Sequence, residues 1–253
     1  MLSGKTILVT GASKGIGAAI ARELAAQGAR VVAHYGTDRA GAETALEETP
    51  EDRKVFVQAN LATQDGAAGL LPEVISATGG IDGMVNNAAV MRFDGGIDDD
   101  RDAWDRIWQE TFQVNVQSAA LLLRDAVHHF RARGGGDIVG ISSWAAQKGV
   151  TNPRTIAYAA SKAAFKAALQ TVATGYAREN IRTYIIAPGV VDTQMSRDFA
   201  ETQGGRAVVE DRLVMGEFVP PQDIATLSAF CLSGKCRHLS GATLDINGAS
   251  YIR

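Results

Sequence analysis

The sequence predicts an open, doubly wound α/β fold: a single domain on one parallel sheet of about seven strands, with helices on both faces. Three observations carry this. Short β-rich runs alternate with longer helical patterns almost from end to end, the mark of strand-helix-strand units. Most of the runs are continuously apolar, as strands covered on both faces are. The chain has no linker, internal repeat or low-complexity tract, so its 253 residues read as one large unit.

In order, the runs at 6–10, 30–35, 54–58, 81–85, 137–142, 182–187 and 243–246 are the expected strands. Between them helical periodicity covers 15–27, 39–48, 64–78, 102–131, 157–179 and 221–232. The acid run Asp98-Asp99-Asp100 suits the N-terminus of the long fourth helix, and His128-His129 reads as its solvated surface. From Ala157 to Ala173 the fifth is apolar on almost every side, and Ala119 to Leu123 repeats the behaviour. One side can cover the sheet; the other wants a partner, in the simplest case a symmetry mate, so a homodimer or homotetramer is expected.

Composition excludes several classes. Hydrophobic residues at 46% and charged ones at 21% are those of a folded core, not a disordered or fibrous chain. Lys plus Arg at 25 against Asp plus Glu at 28 gives a net charge of −3 with no basic face, so no nucleic-acid partner is expected. Cys231 and Cys236 are too few for a disulfide framework, and no His, Cys or acid cluster has metal-ligand spacing. No secretory leader or membrane span is visible, and a cytoplasmic protein without membrane contact is the expectation.

After the first strand comes Thr10-Gly11-Ala12-Ser13-Lys14-Gly15-Ile16-Gly17, leading into a helix. Glycines there permit a tight turn and close backbone approach, and the helix amides attract a pyrophosphate. This is the setting of a Rossmann-type dinucleotide cradle, although turns also gather glycine for steric reasons alone. The spacing is not the G-x-G-x-x-G fingerprint and does not continue into a P-loop, which disfavours a nucleoside triphosphate.

A second signal is Tyr158-Ala159-Ala160-Ser161-Lys162, which puts a tyrosine and a lysine on one helix face. A phenol with a pKa of about 10 is a poor acid or base at neutral pH. A neighbouring ammonium is expected to lower that pKa, by roughly three units if the pair is catalytic. Such a pair also arises on a solvated face; the apolar helix around it weighs against that. Ser142 and Ser143 close the fifth strand at the carboxyl edge of the sheet, where ligands bind, though a serine there also caps turns.

These motifs together resemble the short-chain dehydrogenase/reductase family, and its 3-oxoacyl-(acyl-carrier-protein) reductases in particular. The T-G-x3-G-x-G pattern matches in full. Asn86-Asn87-Ala88-Ala89 stands for the family's N-N-A-G, Asn115 lies within Val114-Asn115-Val116, and Ala187-Pro188-Gly189 is followed by Val191 and Thr193. Gly241 and Asp245-Ile246-Asn247-Gly248 echo the closing motif. Ser143 precedes Tyr158 by fifteen residues where the family has about thirteen, so Ser142 stays open as a fallback.

The resemblance implies hydride exchange between a nicotinamide and a small-molecule carbonyl or alcohol. It assigns Ser143 to the carbonyl oxygen, Tyr158 to the proton, Lys162 to the tyrosine and the nicotinamide ribose, and Asn115 to a relay water. It assigns the cofactor to Gly11, Ser13, Lys14, Gly15, Ile16, Gly17, Tyr35, Arg39, Asn60, Leu61, Asn87, Ala88, Pro188, Gly189, Val191 and Thr193, together with Tyr158 and Lys162. The acid that accepts the adenosine ribose in NAD-preferring relatives is missing, since the second strand ends at Tyr35. Lys14 and Arg39 suit a 2′-phosphate and Asp38 opposes it, so NADP(H) is expected over NAD(H).

The expected substrate walls are Met91 to Gly95, Trp144 to Arg154, and Met195 to Pro220 as a lid. Trp144, Phe93 and Met195 suit an apolar or cyclic carbonyl; Arg92, Arg154 and Arg197 suit an anionic one such as an acyl-carrier thioester. Alternatives are an NAD-dependent alcohol dehydrogenase, an isomerase or epimerase of related fold, and a redox-sensing nucleotide binder without turnover.

Overall fold

The computed structural model describes residues 1–253. Its seven strands are β1 (Thr6–Val9), β2 (Arg30–Tyr35), β3 (Lys54–Gln58), β4 (Gly83–Asn86), β5 (Gly136–Ile141), β6 (Ile181–Pro188) and β7 (Thr243–Ile246). They form one sheet in the order β3-β2-β1-β4-β5-β6-β7. Every pairing is parallel. Chain direction across the sheet therefore reverses between β1 and β4, where Ile7 lies opposite Val31 on one side and Gly83 on the other. A crevice at the carboxyl ends of those two strands is what this topology creates.

Alternate residues of each strand feed two cores. Ile7, Val9, Val31, Ala33 and Val139 pack under α1 (Gly15–Ala26) and α10 (Pro221–Leu232), through Ile20, Leu24 and Ile224. Leu8, Val32 and Ile138 pack under α3 (Gln64–Thr78), α5 (Ala119–Arg133) and α7 (Ile156–Tyr176), through Leu70, Leu122, Phe165 and Leu169. α7 lies close on β5 because position 140 is glycine: a Cβ there would stand 2.2 Å from Leu169 Cδ1. That approach brings the start of α7 over the end of β5.

At the amino edge of the sheet the charge chemistry is structural. The Asp137 carboxylate, 3% exposed, accepts from Arg182 Nε at 2.6 Å and Nη2 at 2.9 Å, with Lys5 Nζ at 3.5 Å. A buried carboxylate needs such partners, since desolvation without them costs several kcal/mol (~3–5 when one partner of a buried pair is removed).

Two expectations change. The helix expected over 102–131 is two helices, α4 (Arg101–Phe112) and α5, joined by a π-helical stretch, Gln113–Ser118. The wider turn lets Asn115 turn inward, where its side chain is hydrogen-bonded to both backbone groups of Val90. His129 is half-buried rather than solvated, with Nε2 3.1 Å from the Ile81 amide. The segment expected as a lid contains α8 (Gln194–Glu201) and α9 (Arg206–Glu210), and α6 (Ala145–Lys148) follows Ser143. Asp100 does cap α4, accepting from the Ala103 amide at 2.8 Å, and α2 (Arg39–Ala45) follows β2. No helix is long and apolar enough to cross a membrane.

Candidate active site

At the switch point the ends of β1 and β4 are tied through Thr10. Its hydroxyl accepts from the amides of Asn87 at 2.9 Å and Ala88 at 3.0 Å, and Asn87 Nδ2 donates back to the Thr10 carbonyl at 2.9 Å. The loop from Gly11 to Gly17 folds against this tie. A Cβ at position 17 would stand 2.1 Å from the Gly11 oxygen and 2.5 Å from Asn87 Nδ2, so only glycine fits. The first turn of α1 has no side-chain cap at Lys14, which is exposed. A helix N-terminus with free amides, on a floor with no room for a side chain, fits a pyrophosphate.

His34 holds the loop from beneath. Its Nδ1 accepts from the Gly11 amide at 3.1 Å and its Nε2 lies 3.1 Å from the Ala59 carbonyl. An acceptor at Nδ1 and a donor at Nε2 describe a neutral ring with its proton on Nε2. Burial pushes its pKa below 6.5, against a smaller opposing pull from the Ala59 carbonyl.

From the cradle a cleft of about 350 Å³ runs along the carboxyl edge to Ser143, Tyr158 and Lys162. Of the residues named from the sequence, Gly11, Ser13, Lys14, Gly15, Ile16, Gly17, Asn87, Ala88, Pro188, Gly189, Val191 and Thr193 line it. Tyr35, Arg39, Asn60, Leu61 and Asn115 do not. Tyr35 and Leu61 are buried, Arg39 pairs with Glu43 at 2.8 Å, and Asn60 Oδ1 accepts from the Ala62 amide at 3.0 Å. Gly36, Thr37, Gln194 and Ser196 line the cleft without having been singled out. The turn pair after β2 was the available signal for the first two, and the Thr193 cap of α8, which accepts from the Ser196 amide, for the others.

The two serines differ. Ser142 Oγ donates to the Lys162 carbonyl at 3.2 Å, so its proton is spent within the fold. Ser143 Oγ accepts from the Ala145 amide at 3.1 Å, which leaves its proton to be donated into the cleft. Lys162 is 4% exposed; its Nζ donates to the Ile141 carbonyl at 2.8 Å and stands 5.7 Å from the centre of the Tyr158 ring. Burial pushes Lys162 down to about 8. Burial also pushes Tyr158 up to about 12, with the Ser143 hydroxyl pulling the other way. The direction at Tyr158 is opposite to the one expected from the spacing, because burial is the largest influence on both groups. Asn115 Nδ2 donates to Ser161 Oγ at 3.0 Å, and Ser161 donates to the Tyr158 carbonyl at 2.7 Å, which ties the π-helical turn to the first turns of α7.

A doubly wound sheet with a glycine cradle at its switch point and a Ser, Tyr and Lys at the far end of one cleft defines a nicotinamide-dependent oxidoreductase site. Residues 11–249 match the family profile described as enoyl-(acyl carrier protein) reductase. The chain is 33% identical over 250 residues to 3beta-hydroxysteroid dehydrogenase 1 of Eggerthella lenta, covering 98% of this chain and 94% of that one. Among solved structures it resembles a short-chain dehydrogenase from Burkholderia cenocepacia in complex with NADP, with a TM-score of 0.86, 32% identity and 98% of each chain covered. It also resembles 3-ketoacyl-(acyl-carrier-protein) reductase from Brucella melitensis complexed with NADH, with a TM-score of 0.86, 26% identity and full coverage of both chains. The protein belongs to the short-chain dehydrogenase/reductase family, and is an NAD(P)-dependent oxidoreductase acting on CH-OH groups.

The His34 geometry sets a pH signature. A buried imidazole with a lowered pKa contributes stability that is complete above about 6.5 and declines as pH falls below it, because the unfolded chain then binds the extra proton. Urea unfolding of wild type between pH 8 and 5 should show this decline, and His34→Asn, which keeps an acceptor near Gly11 but does not titrate, should flatten it. Parallel losses in both proteins would refute the neutral ring. His34→Leu leaves the Gly11 amide and Ala59 carbonyl unpaired and should cost about 1–3 kcal/mol.

Proposed function

We propose that residues 1–253 form one NAD(P)-binding catalytic domain that transfers hydride between NADP(H) and a carbonyl or secondary alcohol, with Tyr158 as the acid/base. The observation that carries this reading is the convergence of Ser143, Tyr158 and Lys162 in the cleft that begins at the glycine cradle. When bound, the nicotinamide supplies or takes up the hydride. The pyrophosphate would lie at the N-terminus of α1, and the nicotinamide end beside Pro188, Gly189 and Thr193.

Each side chain has a defined task. Ser143 offers its free proton to the substrate oxygen and orients it. Tyr158, pushed up to about 12 by burial, keeps its proton throughout the neutral range but is a weak acid there, so giving that proton to the substrate oxygen depends on stabilising the phenolate left behind. Loss of that proton leaves a phenolate, and Lys162, charged below about 8, is the cation that stabilises it. Asn115 acts as a positioning residue through Ser161. The reductive rate should therefore hold to about pH 8 and fall above it as Lys162 loses its charge, while the oxidative rate climbs toward alkaline pH. Tyr158→Phe should lower kcat by roughly 10²–10⁴ while leaving cofactor affinity within a few-fold, read by cofactor fluorescence titration. Full activity in that variant would sink the assignment.

The preference for NADP(H) rests on Tyr35 in place of an acid and on Lys14 at the cleft. Asp38 also lines it, but its carboxylate accepts from the Gly41 amide at 2.9 Å as the cap of α2. Arg39 is held by one exposed ion pair, a contact weak enough to exchange for a phosphate. Lys14→Ala should reduce the NADPH-over-NADH ratio of kcat/KM about tenfold, the size of one charge-assisted bond. An unchanged ratio would argue for NAD(H).

We also propose a homodimer or homotetramer. Ala160, Ala163, Ala164 and Ala167 leave a stripe of small apolar side chains on the outer face of α7 at least partly exposed. Beside it α4 carries a stacked ladder, with Trp104 and Trp108 rings 4.9 Å apart and Trp108 and Phe112 5.3 Å apart. Light scattering on the wild type should give a multiple of the 26.7 kDa chain, and Ala167→Glu should shift it toward monomer. A monomeric wild type would end this proposal.

A further inference from the structure

The three segments around Ser143 and Tyr158 meet one another. Arg154 lies 3.8 Å from Asp99, Asn152 Nδ2 donates to Thr202 Oγ1 at 3.3 Å, and Trp144 packs on Val190, Ala200, Val209 and Phe218. They form a continuous rim whose charge is distinctive. Arg92 is paired with Glu110, Arg197 with Asp192 at 2.6 Å, and Arg206 with Asp192 at 3.1 Å and Glu210 at 2.7 Å. The arginines that would recognise an anionic substrate are thus each already facing a carboxylate.

Lys148 has no acid partner, but its Nζ lies 4.0 Å over the Trp144 ring; Arg212 is exposed. The balance of the rim is acidic. Residues 91–110 carry seven acids against three bases, 144–158 two bases and no acid, and 192–220 six acids against three bases. Individual surface pairs are weak, so an incoming anion could displace one carboxylate. The excess of acids is another matter: it gives the mouth a negative potential that lowers the encounter rate of any anion, over a Debye length of about 10 Å. Inside the rim, Met195 lines the cleft, while Trp144 and Leu213 pack against a small buried cluster that includes Phe218.

Resting on the hydride-transfer reading, we infer that this site takes neutral carbonyl or alcohol compounds free in solution and discriminates against anionic carriers, with Glu110 and Asp192 as specificity-determining residues. The discrimination comes from charge at the rim and not from the reacting group. A pair of substrates with the same 3-oxobutanoyl group isolates it: the neutral N-acetylcysteamine thioester and the anionic coenzyme A thioester. A neutral cyclic ketone completes the set.

At low ionic strength kcat/KM should be about tenfold higher for the neutral thioester. The gap should close as salt is added, while the rate for the cyclic ketone stays flat. Glu110→Gln with Asp192→Asn should narrow the gap at low salt without changing the ketone rate. A coenzyme A or acyl-carrier thioester that outperforms its neutral analogue, or a gap insensitive to both salt and charge removal, would overturn the inference and leave hydride transfer standing. Absence of nicotinamide oxidation or reduction with all three substrates would overturn both.

Discussion

The Thr10 hydroxyl is the contact on which the site depends. The first and fourth strands are neighbours in space although 75 residues separate Thr10 from Val85, and their ends would otherwise leave two inward amides unpaired at the edge of the crevice. One small side chain accepts both amides, and a buried donor left unmade costs about 1–3 kcal/mol. Asn87 returns a bond to the backbone of Thr10, Gly17 presses on the Gly11 carbonyl beside it, and His34 fixes the Gly11 amide from below. The cradle is rigid because three strands hold one loop.

Desolvation governs the other end of the cleft. A lysine 4% exposed keeps its ammonium only while a carbonyl accepts from it, and Ile141 at the end of β5 supplies that carbonyl. The same burial pushes the Tyr158 phenol up to about 12, so it keeps its proton at neutral pH. In the proposed reaction, charge formed on the phenol would arise in a medium of low dielectric, with the Lys162 ammonium 5.7 Å from the ring centre. Little reorganisation is then needed when it appears.

Much of this was legible in the sequence, and the parts that were not share a cause. Continuous apolar runs marked most of the strands, because a strand buried on both faces tolerates little else, and alternation with helical stretches located the others. Gly11, Gly15 and Gly17 announced the cradle through spacing, and Tyr158 and Lys162 declared their common face through a one-turn separation. What depended on tertiary neighbours stayed hidden. The π-helical turn at Asn115 answers to Val90, far away in sequence, and no local periodicity encodes it. Ser142 and Ser143 are alike as letters and differ only in which atom each finds. The arginines of the rim read as anion receptors until their acids were located across the fold, and the shift at Tyr158 had the opposite direction because spacing reports proximity and not solvent.

β5 carries the buried Asp137 ion pair at its first turn of pairing and Ser143 just past its last. The charge that helps stabilise the sheet and the hydroxyl proposed to meet substrate are thus at opposite ends of one strand, with Ile138 to Ser142 between them. Segments at the carboxyl edge can lengthen, shorten or change charge without disturbing Asp137, Arg182 or Lys5. Between Ser143 and Tyr158 the chain forms a short helix, Ala145–Lys148, and a turn at Pro153–Thr155 before α7 packs on β5. Substitutions at the two ends of β5 should accordingly act on different properties, stability at Asp137 and the cleft at Ser143.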